Sequence, residues 1–209
     1  VADAIGAGID IKQETGAAIV NIGGETTHIS VLYRGGIVLN RLLKTGVASI
    51  DRAIITLVRR HLDFVIGRLT AEAVRIQSSV FGEEQGHAVM AAGRDLVRSR
   101  PGIKEIPDYI VRTAVNEFLK PGGEAVSLML EQAPPDVLAA IRKRGICLTG
   151  GIACTKGLDR YMEEKTGIPF YTVKEPHLSA IRGVRDILLS DDLKDLAYSM
   201  KDENYRWMR

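Results

Sequence analysis

Apolar and polar positions alternate through the first third of the chain, with glycine pairs between the runs. Residues 17–22 (AAIVNI), 28–33 (HISVLY) and 37–42 (IVLNRL) read as three strands. Gly35-Gly36 is expected to supply the tight turn between the last two, which predicts a meander. Near residue 46 the period changes. Ile50, Ile54, Leu57, Val58 and Leu62 recur at helical spacing. A second helical pattern covers about 69–80, with Thr70 as its expected N-cap. Residues 86–106 are short and broken, and predict two short strands with a polar connection. Asp108 is expected to cap a helix that runs to about Lys120 and is broken by Pro121-Gly122-Gly123.

The last third alternates helix and strand. EAVSLMLEQA reads as a helix. PDVLAAIRKR reads as another, opened by Pro134-Pro135 and ended by Gly145. ICLTGG is a short buried strand, CTKGLDRYMEEKTG a helix and PFYTV a strand, with helices over 177–189 and 192–200. Strand–helix alternation at this spacing implies parallel β structure covered by helices. The chain is therefore expected to be α/β, with a central sheet interrupted in sequence by an insertion at about 47–119.

Composition narrows the class. The chain has 209 residues, 45% hydrophobic and 26% charged, with a net charge of +2. It can bury a substantial core, and its charge balance offers no case for a nucleic-acid partner. Cys147 and Cys154 lie in apolar surroundings and are expected to be two buried thiols of a reducing compartment. No apolar run approaches the ~18 residues of a membrane span, and no signal-peptide pattern opens the chain. The first residues, VADAIGAGID, look like the end of a helix and are expected to belong to a fragment of a longer protein. The tail DENYRWMR, with the only tryptophan at Trp207, is expected to be disordered.

Two glycine turns follow buried strands, Gly23-Gly24 and Gly150-Gly151. Ligands of open α/β sheets sit where strands end in turns, and backbone N–H groups without a Cβ in the way can close on phosphate oxygens. Thr26 and Thr27 add hydroxyl donors. A hairpin also needs glycine for its dihedrals, so neither turn by itself distinguishes a phosphate loop from a turn.

The two turns together, IVNIGGETTHISV and LTGGIACTKGLDRYMEEKTGIPF, resemble the actin-like ATPase superfamily. AIGAGIDI at 4–11, TAEAVRI at 70–76, AAGRDLV at 91–97, LEQAPPDVLAAIRKRGICLTGG at 130–151 and TGIPFYTVKEP at 166–176 narrow the resemblance to the MreB family of bacterial actins. It covers nearly the whole chain. It implies an actin-like (ribonuclease H-like) domain with a mixed five-stranded sheet flanked by helices and an inserted smaller α+β subdomain. The implied division is a nucleotide-binding core at 1–46 and 120–209 and an insert at 47–119, with the family's first lobe absent. ATP would lie in the cleft between two lobes.

By the same resemblance, Asn21, Gly23, Gly24, Glu25 and Thr26 form the second phosphate loop. Glu72 and Arg75 face ribose and adenine, and Gly150, Gly151, Ile152 and Ala153 form the adenosine motif. Ala180-Ile181-Arg182-Gly183 resembles the second connecting helix. No catalytic residue and no metal ligand is placed within this chain. The cofactor implied is ATP or ADP with Mg²⁺ in the full-length protein, weak or absent in this fragment, which is expected not to hydrolyse ATP. Implied partners are further copies in a filament and cell-shape membrane proteins. Membrane contact would run mainly through the absent lobe of a cytoplasmic protein at the inner membrane face.

The chain departs from the family pattern at the phosphate end. The usual loop is Asp-Ile-Gly-Gly-Gly-Thr-Thr, and here Asn21 and Glu25 replace its aspartate and third glycine. Asn21 loses the charge that makes an oxygen ligand strong for Mg²⁺. Glu25 would face polyphosphate or swing to solvent. Val47-Ala48 replaces the preferred Gly-Asp after Gly46. His28 reads as an ordinary strand histidine, and Glu72–Arg75 as a pair on one helix face. These changes keep a second expectation open, a non-hydrolysing actin-like adaptor or filament-capping module. A sugar kinase or chaperone of the same fold would need features that the sequence does not carry.

Overall fold

The computed structural model describes residues 1–12, 15–78, 80–81, 87–155 and 157–196. The tail with Trp207, the end of the expected 192–200 helix and Lys156 lie outside the described residues. The elements follow the chain as α1 (Ala2–Gly6), β1 (Ala17–Ile22), β2 (Thr27–Tyr33), β3 (Gly36–Leu43), α2 (Val47–Leu62), β4 (Phe64–Val65), α3 (Arg68–Gln77), β5 (Val89–Asp95), β6 (Arg100–Ile106), α4 (Asp108–Glu131), α5 (Pro135–Arg144), β7 (Ile146–Thr149), α6 (Leu158–Thr166), β8 (Phe170–Thr172) and α7 (Ser179–Leu189). Short 3₁₀ turns occupy Gly151–Cys154, Pro176–Leu178 and Asp191–Leu196.

The main sheet is mixed and five-stranded, in the order β3-β2-β1-β7-β8. Its first three strands form the antiparallel meander, and β1-β7 and β7-β8 are parallel pairs. Strand β1 explains why its sequence is apolar at nearly every position. Ala18, Val20 and Ile22 face the large core under α2 and α4, while Ala17 and Ile19 face a second core with Ala4 of α1, Leu32 and Cys147. A strand covered on both faces has no polar side to show. A smaller antiparallel sheet, β4-β5-β6, lies in the 47–119 region. Its inward residues, Phe64, Val89, Ala91 and Ile106, join the large core.

Local expectations fail where tertiary packing overrides them. Helix α4 runs unbroken for 24 residues with Pro121 inside it. Proline removes one helical hydrogen bond and usually costs about 3 kcal/mol. Here Leu119, Ala125, Val126, Met129 and Leu130 keep one helical phase and are buried in the large core, and that burial holds the second half of the helix in line. The two expected N-caps also move. Gly67 and Pro107 flank α3 and α4, so Thr70 and Asp108 lie within the first turns. Asp108 accepts a 2.8 Å hydrogen bond from Arg112 one turn on. The β2-β3 turn is centred on Arg34 and Gly35, both with positive φ (45° and 84°), instead of Gly35-Gly36. That is the geometry that matches the twist of a two-residue hairpin. The expected helix from Cys154 begins only at Leu158, because Gly157 takes φ +82° just before it.

Helices α1 and α7 cross at glycines. A Cβ on Gly6 would fall 1.8 Å from the Ser179 carbonyl oxygen, and one on Gly183 would fall 1.6 Å from the Ala2 oxygen. Side chains at either position would separate the two backbones.

Candidate functional site

The loop between β1 and β2 packs against the start of α2. The Gly23 N–H donates to the Thr26 carbonyl at 2.9 Å. The carbonyls of Gly23 and Gly24 accept from the N–H groups of Val47 and Ala48, both at 2.9 Å. The two bonds to α2 satisfy first-turn donors of that helix and use carbonyl oxygens of the loop, while the Gly23 N–H is taken by Thr26. Gly46 permits the approach, since a Cβ there would lie 2.4 Å from the Gly24 oxygen. Gly24 itself has no such local reason. Its φ is not positive, and an added Cβ would meet nothing within 4 Å. Neither hairpin dihedrals nor packing within the chain requires glycine there, which leaves open space above the backbone as its distinguishing property.

Gly150 differs. It has φ +87°, and a Cβ would fall 2.2 Å from the Ile22 oxygen. Its glycine is explained by the close approach of the β7 turn to β1. Gly151, the next residue, opens onto free space.

The two turns and helix α3 meet in one cleft of about 600 Å³. Gly24 and Glu25 form one wall, Gly151, Cys154 and Thr155 a second, and Arg68, Glu72, Arg75 and Ile76 a third. Val47, Ala48 and Asp51 of α2 complete it together with His177. Among the residues singled out from the sequence, the cleft thus gathers Gly24, Glu25, Glu72, Arg75 and Gly151. The side chains of Ile152 and Ala153 are buried in the large core, so only their backbone can serve a ligand. Asn21, Gly23, Thr26 and Gly150 are not among the residues that line it.

Arg75 is buried, and its main partner is not Glu72. Its Nε donates to Asp51 Oδ1 at 2.7 Å, whereas Glu72 Oε1 lies 3.9 Å from Nη2. Asp51 thus neutralises and orients a guanidinium that would otherwise be a costly buried charge. Glu25 points outward with its side chain 71% exposed, 3.7 Å from the Arg52 guanidinium. His28 is exposed on β2, opposite Asn21 in the strand register.

Asn21 sits at the carboxyl end of β1, beside Thr149 at the carboxyl end of β7. Its amide donates to Asp3 Oδ2 at 3.0 Å and to Thr149 Oγ1 at 3.1 Å, and the Thr149 hydroxyl donates to the same Asp3 oxygen. Asp3 Oδ1 is buried without a hydrogen-bond partner in the structure. A carboxylate therefore stands beside position 21 although position 21 itself is uncharged.

Sequence reasoning missed Asp3, Asp51 and His177. Each reaches its partner across 18 or more positions of chain, and no local spacing announces such a pair. One expectation about the cysteines is corrected. Cys147 is buried, but Cys154 is exposed on the cleft wall, with Sγ 3.6 Å from His177 Nδ1. The apolar residues on its N-terminal side, Ile152 and Ala153, turn into the core, and the 3₁₀ turn swings Cys154 out. The Cys147 thiol is pushed up to about 12, chiefly by burial.

Comparison with known proteins places this cleft in context. The MreB/Mbl protein family matches residues 1–195. The chain is 35% identical over 184 residues to the cell shape-determining protein MreB of Escherichia coli (strain K12), covering 88% of this chain and 53% of that protein. It is 33% identical over 174 residues to the cell shape-determining protein Mbl of Bacillus subtilis (strain 168), covering 83% of this chain and 52% of that one. The chain thus spans about half the length of the curated relatives it matches. Among solved structures, MreB5 of Spiroplasma citri bound to ADP superposes with a TM-score of 0.86 at 27% identity, over 93% of this chain and 59% of that one. The MamK double helical filament superposes at 0.74 with 21% identity, over 90% and 57% of the two chains, and shows a shared actin-like fold.

Proposed function

The chain belongs to the MreB/Mbl family, and from that premise we propose that its cleft holds the phosphates and nucleoside of ATP or ADP. In this reading the chain is the second lobe of an actin-like cytoskeletal protein that polymerises and determines cell shape. The observation that carries the reading is the convergence of Gly24, Gly151 and the Asp51-oriented Arg75 on one cleft. Two turns that leave space for phosphate, with a cationic side chain of fixed geometry beside them, suit a polyanion with a planar base. The crystal structures of MreB5 with AMPPNP and with ADP support it. The division into a core at 1–46 and 120–209 and an insert at 47–119 belongs to the same proposal, with α4 crossing the boundary as one helix.

The same proposal includes a hydrated Mg²⁺ near the end of β1, next to the cleft but outside the residues that line it. Mg²⁺ in such sites keeps several waters and uses one or two carboxylates. Asp3, with an unpartnered buried oxygen, and the Asn21 side chain would hold that water shell. The cation would screen the charge of the phosphates. Hydrolysis would further require groups that position a water, and none is assigned among these residues; the chain by itself is expected to bind nucleotide weakly at most and not to turn it over.

Self-association into filaments, contact with cell-shape membrane proteins and a place at the inner face of the membrane extend the proposal from the relatives. Among the described residues no helix is long and apolar enough to cross a membrane.

Titration of the chain with ATP, with and without Mg²⁺, tests the cleft. Gly24→Val should fold normally and lose nucleotide affinity, because the new side chain enters only the open space. Equal affinity in both proteins would overturn the assignment. A second reading, an adaptor or cap that binds without hydrolysis, is favoured by the uncharged Asn21 and the outward Glu25. Sedimentation of the full-length protein with ATP separates the two, since an adaptor forms no polymer under any nucleotide.

A further inference from the structure

The cleft wall carries a thiol and an imidazole that nucleotide binding does not require. Cys154 is exposed, and its Sγ lies 3.6 Å from Nδ1 of His177, which enters from a different segment. Both side chains line the 600 Å³ cleft. In the tautomer that carries its proton on Nε2, the ring would present Nδ1 as an acceptor toward the thiol, and a thiol becomes a nucleophile as it loses its proton. The chain's other cysteine provides an internal contrast. Cys147 is fully buried, and burial pushes its thiol up to about 12 although the Tyr171 hydrogen bond works in the opposite direction.

We propose that Cys154 is a covalent modification site for small disulfides, and that the adduct occupies the cleft and excludes nucleotide. The exclusion rests on the nucleotide reading above; the modification site does not. The chemistry balances as thiol–disulfide exchange. His177 Nδ1 takes the proton from Cys154 Sγ. The thiolate attacks one sulfur of the disulfide, a new S–S bond forms to Cys154, and the reagent's own S–S bond breaks. The departing thiolate carries away the bonding electron pair and receives the proton. Cys154 is oxidised and the departing half of the reagent is reduced. The group left on Sγ stands between the Gly151 turn and α3, in the volume a nucleotide would fill. Returning thiol reverses the exchange, so the modification acts as a switch on cleft occupancy.

The test incubates the full 209-residue chain with glutathione disulfide at neutral pH, maps adducts by peptide mass spectrometry and then titrates with ATP. The expected adduct is on Cys154 and not on Cys147, ATP slows its formation, and the thiolated chain binds ATP about tenfold or more weakly. His177→Ala and His177→Gln should both slow thiolation, by up to about 10²-fold, the scale on which a positioned base acts. Cys154→Ser should take no adduct, and its ATP titration should be the same before and after disulfide. Modification of Cys147 in preference to Cys154, or undiminished rates in both His177 variants, overturns the site. Unchanged ATP affinity in the thiolated chain overturns the exclusion. Should the unmodified chain bind no ATP at all, the nucleotide reading and the exclusion fall together, while the adduct map still decides the modification site.

Discussion

The side-chain amide of Asn21 donates a 3.0 Å hydrogen bond to the carboxylate of Asp3, 18 positions earlier in the chain. A carboxylate from α1 thus stands beside the uncharged side chain at the end of β1. Asn21→Asp is therefore not a simple restoration. It would set two carboxylates against each other and remove a donor from a part-buried acceptor, which costs about 1–3 kcal/mol. The exchange Asp3→Asn with Asn21→Asp keeps one charge and one amide and should recover most of that loss. Urea denaturation of the two single variants and the double variant measures the coupling. In the same series Asp3→Asn alone should weaken the Mg²⁺ dependence of nucleotide binding, and the double variant should retain it.

Asp51 and Arg75 form a buried pair at 2.7 Å between α2 and α3. Removing one partner leaves the other charged and dry. Asp51→Ala should destabilise the chain by about 3–5 kcal/mol, and thermal denaturation should show it as a large fall in melting temperature. Glu72→Ala should change stability by less than about 1 kcal/mol, since its half-exposed carboxylate is 3.9 Å away. Equal effects would mean that Glu72 is the true partner.

Gly183→Ala should force α7 away from α1, because the new Cβ would overlap the Ala2 carbonyl at 1.6 Å. A flexible side chain could yield, but a helix backbone cannot. An overpacking cost of about 1–3 kcal/mol or more is expected. Gly122→Ala in α4 is the control, because a Cβ there meets nothing within 4 Å. Urea midpoints of the two variants should separate clearly.

Alkaline pH should destabilise the chain through Cys147 and Tyr171. Burial raises both groups to about 12 in the folded chain. Below the ordinary thiol pKa of about 8.5 both are protonated in folded and unfolded chains alike, so nothing is lost. Between that value and about 12 the unfolded chain releases protons first, and stability falls as pH rises. Melting curves collected through this window should show a decline that is shallower in Cys147→Ala, after allowance for its cavity.

Periodicity made much of the fold legible before any tertiary contact. The two-sided apolar run of β1, the meander and the helical phase of α2 follow from which positions must leave water. The glycine turns at 23–24 and 150–151 were visible too, although only the structure separates their reasons: a steric demand at Gly150, and open space at Gly24. Residues that depend on a distant partner were not visible. Pro121 looked like a helix end until the large core held the helix through it. Glu72 looked like the partner of Arg75 until α2 brought Asp51 closer. Cys154 looked buried until the 3₁₀ turn aimed it at His177. Local sequence determines which face of an element avoids water, because that preference repeats with the period of the backbone. Which side chain stands opposite a given charge or thiol is decided by how separate elements pack, and the sequence between the partners carries no period that records it.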